Sequence, residues 1–271
     1  MQEWRLILDD PAGGQENMAI DESMLIACEN SLSTSTVRFY GWSQPTLSLG
    51  CFQKIGAYKE NCDALGIPIV RRITGGRAVL HDMELTYAIA SDDAALFEKG
   101  IVGAYRIISD CMAAAIKDLG IDAFIEDSRP KAQDSRLKNQ EFSCFKSVSR
   151  YEILINGKKI VGSAQKRLKR AFLQHGSIIM DVNRGMFSSV FGKNHSIDGL
   201  SSYVDIDKDA LIKSILKRFE HGLSIKLISG ELTSFETDLK HRLIEDKYKD
   251  DCCRLQVASK DLKLGSCSTG L

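Results

Sequence analysis

No two of the eight cysteines stand in a C-x-x-C pair, so zinc-ribbon and thioredoxin-type readings lack their ligand spacing, and no metal site is expected. No window of 18 apolar residues occurs, which argues against a membrane-spanning helix. The opening MQEWRLILDD has no basic start followed by an apolar run, so a secretory signal is not expected. Net charge is missing too. The 36 Lys and Arg cancel the 36 Asp and Glu, whereas bulk nucleic-acid binding wants a basic excess. No internal repeat or low-complexity linker breaks the chain. These absences point to reduced thiols in a cytoplasmic setting. What is present is an ordinary chain of 271 residues, 44% of them hydrophobic, able to bury a core without disulfides.

The pattern of elements is strand-rich with a few long helices. EWRLIL (3–8), TVRFYGW (36–42), TLSLGCF (46–52) and IPIVRRI (67–73) read as strands, as do AVLH, ELTYAIAS and AFLQHGSIIMDV (171–182). Asn17 is expected to cap a helix running to about Asn30. AYKENCDALG (57–66) predicts a short helix. The clearest helix is 101–120, where Ile101, Tyr105, Ile108, Met112 and Ile116 recur at helical spacing before Gly120. YEILI and KKIVGSA flank Asn156-Gly157, a strong hairpin signal. Residues 126–141 are polar, contain a proline and predict a loop. Two helical stretches follow Lys208. Hairpins favour α+β architecture with mixed or antiparallel sheets flanked by helices, over a doubly wound parallel sheet. A single catalytic domain over 1–271 is expected, with 205–271 a small, mainly helical C-terminal extension.

Three segments are suited to chemistry. In VRRITGGRAVLHD (70–82), Gly75-Gly76 follows a strand. Paired glycines let backbone N–H groups approach a carbonyl, carboxylate or phosphate, but they equally suit a plain hairpin turn with solvated arginines. No G-x-G-x-x-G or G-K-[ST] wording accompanies them. In KKIVGSAQKRLKRAFLQHGSI (158–178), six cations and no acid fall between Lys158 and Arg170. They form either a solvated face or a landing site for an acidic partner. His175 is a ligand donor or a satisfied structural histidine. In SCFKSVSRYE (143–152), Cys144 follows the polar loop, with Lys146 and Arg150 near enough in sequence to favour a thiolate. A buried small hydrophobe is the competing reading. The other seven cysteines fall on apolar helix faces, in strands or in the tail.

Taken together, GGQENMAIDE (13–22), RFYGWSQPTLSLGCFQ (38–53), RRITGGRAVLHD (71–82), CFKSVSRYEI (144–153), NGKKIVGSAQKR (156–167) and LQHGSI (173–178) resemble the lipoate/octanoate transfer family. Biotin ligases are its distant members. The resemblance spans roughly residues 4–200, and the wording is most similar to the longer octanoyltransferases.

That resemblance implies transfer of an octanoyl group from an acyl carrier protein thioester to a lysine of a lipoyl domain, such as glycine cleavage H protein or a dehydrogenase E2 subunit. It implies an acyl-thioester on Cys144, with Lys169 against the acyl carbonyl as oxyanion stabiliser or proton relay. Thioester exchange is near thermoneutral and amide formation runs downhill, so no cofactor is implied. The resemblance also implies a substrate site built from Arg72, Thr74, Gly75, Gly76, Ala78, His81, Gly162, Ser163, Ala164, Gln165, His175, Gly176 and Ser177. Strand alternation suggests Val79, Leu85, Tyr87 and Ile178 for the apolar slot. Competing readings are an ATP- and magnesium-dependent lipoate–protein ligase, an amidotransferase between lipoyl domains, and a non-catalytic acyl-protein binder. The tail is too short for the accessory domain of many ligases, which weighs against the first of these. A monomer is expected, since no heptad or dimer stripe is visible.

Overall fold

Strand Glu84–Ser91 (β6) is buried along its whole length, which a strand achieves only when both sheet faces are covered. Its odd positions Leu85, Tyr87 and Ile89 enter one apolar cluster, and its even positions Ala88 and Ala90 enter another. The computed structural model, which describes residues 1–56, 58–126, 151–192 and 197–249, shows the layers responsible. Around β6 lies an eight-stranded sheet. Its strands are Gln2–Leu8 (β1), Thr36–Tyr40 (β2), Phe124–Glu126 (β7), Glu152–Ile155 (β8), Lys158–Arg167 (β9), Phe172–Ile179 (β10) and Ile225–Ser229 (β11). The order is β11-β1-β2-β6-β10-β9-β8-β7. The β11/β1 and β1/β2 pairs are parallel and the others antiparallel, so the sheet is mixed, as the hairpins predict.

One face of this sheet is covered by Gly100–Asp118 (α4) and Lys208–Leu223 (α6), which follow the short helix Ala94–Phe97 (α3) and precede β11, respectively. Ile108, Met112 and Ile116 of the predicted stripe are buried there, while Ile101 at the helix start stays exposed. The other face is covered by Gly14–Glu29 (α1), itself packed against Ser234–Leu243 (α7). A second sheet, order β4-β3-β5, is formed by Thr46–Leu49 (β3), Ile69–Arg71 (β4) and Val79–His81 (β5). It packs with Tyr58–Leu65 (α2) and Arg184–Phe191 (α5) around a third cluster containing Leu47, Leu49, Phe187 and Phe191.

Three local expectations need correction. Helix α1 begins at Gly14, with Gly13 as its N-cap, not at Asn17. The Asn17 amide is used over long range instead: Nδ2 donates to the carbonyls of Ala12 (3.2 Å) and Gly41 (2.9 Å), while Oδ1 accepts from Arg38 (2.9 Å). Helix α5, capped by Asn183, was not anticipated. Nor was β11, which takes part of the tail into the main sheet, with Trp4 opposite Leu227. The Asn156-Gly157 turn is present with φ of 49° and 76°, the positive pair that a type I′ hairpin requires. The loop predicted for 126–141 lies almost wholly outside the described residues.

Candidate functional site

Residues of both sheets and α1 line a cavity of about 450 Å³, its mouth included. The large sheet supplies a floor set by register. Gly162 of β9 pairs with Ser177 of β10, Ser177 with Thr86 of β6, and Thr86 with Tyr40 of β2. These four residues share one face and all border the cavity. Three of the four are small, which leaves depth between sheet and cover. Ser48, Val79 and His81 reach in from the small sheet, and Arg72 follows β4. Met18 of α1 and Trp42, in one apolar cluster with Tyr40, line it as well.

At the β9 side the cavity receives Lys159, through a break in strand alternation. Ile153 of β8 pairs with Val161, yet the next residue, Leu154, pairs with Lys159. Ile160 is therefore an extra residue, a β-bulge. Ile160 and Val161 both join the core on the far face, and Lys159 turns toward the cavity. In a regular strand, counting back from Gly162 would send Lys159 into hydrocarbon. Its side chain is 1% exposed and ion-paired with Glu152, itself buried.

Two buried polar chains run from the lining into the protein. His81 Nδ1 is 2.7 Å from Glu84 Oε1, and its Nε2 is 2.7 Å from Ser48 Oγ. Arg72 Nη1 donates to that serine at 3.1 Å, and Trp42 stacks on His81 at 3.9 Å between centroids. Burial alone would raise the Glu84 carboxyl, but the charge of His81 and hydrogen bonds from His81, Ser177 and Thr86 outweigh it and hold it below the usual glutamate range. In the second chain His175 Nδ1 is 2.7 Å from Asp21 Oδ2, and its Nε2 is 2.7 Å from Thr74 Oγ1. Tyr40 donates to the same Asp21 at 2.9 Å, and burial followed by the Asp21 charge pushes its phenol well above the ordinary value. Both histidines anticipated from sequence thus sit at the cavity with each ring nitrogen engaged. Each brings a loop or strand of the small-sheet side into register with the floor.

Of the anticipated substrate residues, Arg72, His81, Gly162, Ser163, Ala164, His175, Gly176 and Ser177 border the cavity. Thr74, Gly75, Gly76, Ala78 and Gln165 do not. Thr74 is buried behind His175, and the Gly75 carbonyl accepts from Arg72 at 2.8 Å. Gly76 has φ of 95°, and its carbonyl leaves no room for a side chain at Gly50. Ala78 belongs to the third apolar cluster, and Gln165 bonds Gln174 at 3.1 Å. Lys169 is exposed in the β9–β10 turn, where its backbone N–H donates to Glu29 at 3.2 Å. Two residues beyond the strand end, it is not among the cavity-lining groups. For the apolar slot, Val79 is in place, but Leu85, Tyr87 and Ile178 face the opposite core, because Thr86 and Ser177 take the cavity side of their strands.

Cys144 lies outside the described residues. Among the described cysteines, Cys28, Cys62 and Cys111 are buried. Burial first, with nearby Asp63 and Asp110 respectively, pushes the Cys62 and Cys111 thiols up to about 11, and Cys28 is raised further still. None of these three is poised to react as a thiolate at neutral pH. Lys159, Trp42, Met18 and Ser48 were missed as site residues. Lys159 stood directly before the GSA wording, and only the unseen bulge hid its direction.

Comparison with known proteins adds identity to this geometry. Residues 14–220 match the lipoyl protein ligase A/B catalytic domain. Octanoyltransferase LipM of Halalkalibacterium halodurans is 35% identical over 93% of this chain and 98% of its own length. The proteins of that name from Clostridioides difficile (35%, covering 93% and 98%) and Bacillus subtilis (36%, covering 92% and 96%) agree as closely. Among solved structures, lipoate-protein ligase A bound with ATP superposes with a TM-score of 0.75 at 24% identity, over 92% of this chain and 96% of that one. A bi-partite lipoate protein ligase from Thermoplasma acidophilum gives 0.75 at 22%, over 97% and 100%. At those identities the two structures speak for the fold alone.

Proposed function

Because the chain belongs to the lipoyl protein ligase A/B catalytic family, we propose that it is an octanoyltransferase of protein lipoylation. The observation that carries this reading is the match, along more than nine tenths of both chains, to proteins named octanoyltransferase in three organisms. The cavity supports it: an apolar trough with a buried cation at one end suits an acyl chain whose carbonyl develops negative charge.

In this reading the donor is octanoate held as a thioester on an acyl carrier protein, and the acceptor is a lipoyl-domain lysine. The Cys144 thiolate attacks the donor carbonyl, the carrier thiol leaves, and an acyl-enzyme remains. The acceptor amine then attacks the second thioester, forming the amide and returning its proton to sulfur. Lys159, which lines the cavity and is ion-paired with Glu152, takes in this reading the oxyanion-stabilising role that the sequence assigned to Lys169. The exposed cations at this edge, Lys166 near the end of β9 and Lys169 and Arg170 in the β9–β10 turn, are suited to acidic carrier and acceptor surfaces used in succession.

The test is transfer from octanoyl carrier protein to a lipoyl domain without nucleotide. Octanoylated acceptor is the expected product. Strict dependence on ATP and magnesium, with free octanoate as donor, would overturn the reading in favour of a ligase. Preference for an octanoylated lipoyl domain as donor would make it an amidotransferase.

A further inference from the structure

We infer that Met18 sets the length of acyl chain the cavity accepts, the carbonyl lying at Lys159 and the tail running across the floor toward α1. The inference rests on the acyl-transfer reading and fixes the direction and length limit of the same site.

The floor crosses four adjacent strands from Gly162 to Tyr40. Three strand spacings make this roughly 14 Å. The two ends differ in chemistry. The β9 end carries the ammonium of Lys159, which a polarised carbonyl requires. Tyr40 marks the β2 end, and Met18 and Trp42, which also line the cavity, share one apolar cluster with it, suited to a terminal methyl.

Of these three residues, two are fixed. Trp42 is held by its indole N–H, 2.8 Å from Thr86 and 3.1 Å from Glu84, and by stacking on His81. Tyr40 is held by its hydroxyl on Asp21 and by the Arg38 guanidinium 3.9 Å over its ring. Met18 has a thioether with no such tie. It is 3% exposed and packs in an apolar cluster with Ile7, Leu25 and Val70. An unbranched, polarisable side chain is the part of such a wall that can yield or be resized. The helix behind it cannot move inward to fill the space of a smaller side chain. One turn earlier, a Cβ at Gly14 would come within 2.7 Å of Thr46 and 3.1 Å of Trp42, so α1 already sits as close to the cover as it can. A smaller side chain at position 18 therefore becomes a longer slot, and a larger one takes length from it unless α1 moves outward.

The test presents wild type, Met18→Ala and Met18→Phe with equimolar hexanoyl, octanoyl, decanoyl and dodecanoyl carrier thioesters and reads the acyl-enzyme by intact mass. In parallel, binding of the free fatty acids of the same lengths is measured by calorimetry, which requires no turnover. Met18→Ala should move the optimum two or three carbons longer, changing the decanoyl-to-octanoyl ratio at least about tenfold, as one methylene in a fitted apolar pocket does. Met18→Phe should move it shorter. An unchanged length profile in both variants, or an equal loss at every length, overturns the inference while leaving octanoyl transfer intact. A wild type that binds graded fatty acids yet takes no acyl group from any donor would overturn the transfer reading instead. Met18→Leu, close in volume, should keep the wild-type profile, and the thermal melt of each variant reports its own folding.

Discussion

Lys159 and Lys169 stand ten positions apart on one strand and its turn, in opposite surroundings. The first is 1% exposed beside Glu152, and the second points into solvent. Replacing Lys159 by Gln should lower kcat by about 10²–10³-fold, the usual loss on removing one preorganised oxyanion donor, with little change in KM. Lys169→Gln should leave kcat near wild type and weaken docking of an acidic carrier, seen as a higher KM that grows with salt. Steady-state transfer kinetics on the two variants check both statements. At this scale much was legible. Eight of the anticipated substrate residues border the cavity, because GSA before a paired strand and HG within the next carry their own register. What was not legible turned on a single residue. A bulge at Ile160 leaves no mark in a pattern of apolar and polar letters, yet it decides which lysine faces the substrate. Three of the four slot residues, Leu85, Tyr87 and Ile178, were misplaced by one step of phase on β6 and β10, while Val79 lines the cavity.

Elements hold the site by close approach and by charge. The turn at Gly75-Gly76 presses its carbonyl against Gly50, the residue after β3, where no Cβ fits. Gly50→Ala should push that turn away, taking Arg72 with it through its bonds to the Gly75 and Arg77 carbonyls. We expect loss of transfer well beyond the fall in Tm, measured side by side. At the start of β9, Asp198 accepts from Lys158, at 2.5 Å, and from Arg184, at 2.7 Å; together these hold its carboxyl at about 2 instead of 3.8. A depressed carboxylate stabilises the fold fully above its unfolded value and loses that contribution as pH falls through the folded one. Wild type should therefore melt above Asp198→Asn at pH 7, and the gap should close as pH falls from 3.8 toward 2. Thermal melts across that range decide it. Strands and long helices were visible from periodicity and from the Asn156-Gly157 turn. β11 and α5 were not. β11 is a five-residue edge strand directly behind a helix, without a turn signal of its own, and α5 is only eight residues long.

At the scale of the whole molecule, the tail is woven into the fold. β11 pairs in parallel with β1 at the sheet edge. Arg5 of β1 makes a two-pronged ion pair with the buried Glu236 of α7, at 2.7 and 2.6 Å. Tyr248, fully buried, donates to Glu22 of α1 at 2.6 Å. We propose one cooperative unit, so truncation after residue 204 should abolish the single thermal transition of the full chain instead of trimming a separable extension. Among the described residues no helix is long and apolar enough to cross a membrane. The α1 face of this unit carries the cavity that Lys159 borders, and on the proposed mechanism the octanoyl group is held there in passing as a thioester on Cys144. Intact-mass analysis of the enzyme mixed with octanoyl carrier protein, with neither acceptor nor ATP, tests it directly. A gain of one octanoyl group is expected, mapped to Cys144, absent from Cys144→Ala and discharged when a lipoyl domain is added. An unmodified enzyme, or an adduct that persists in Cys144→Ala, would contradict it.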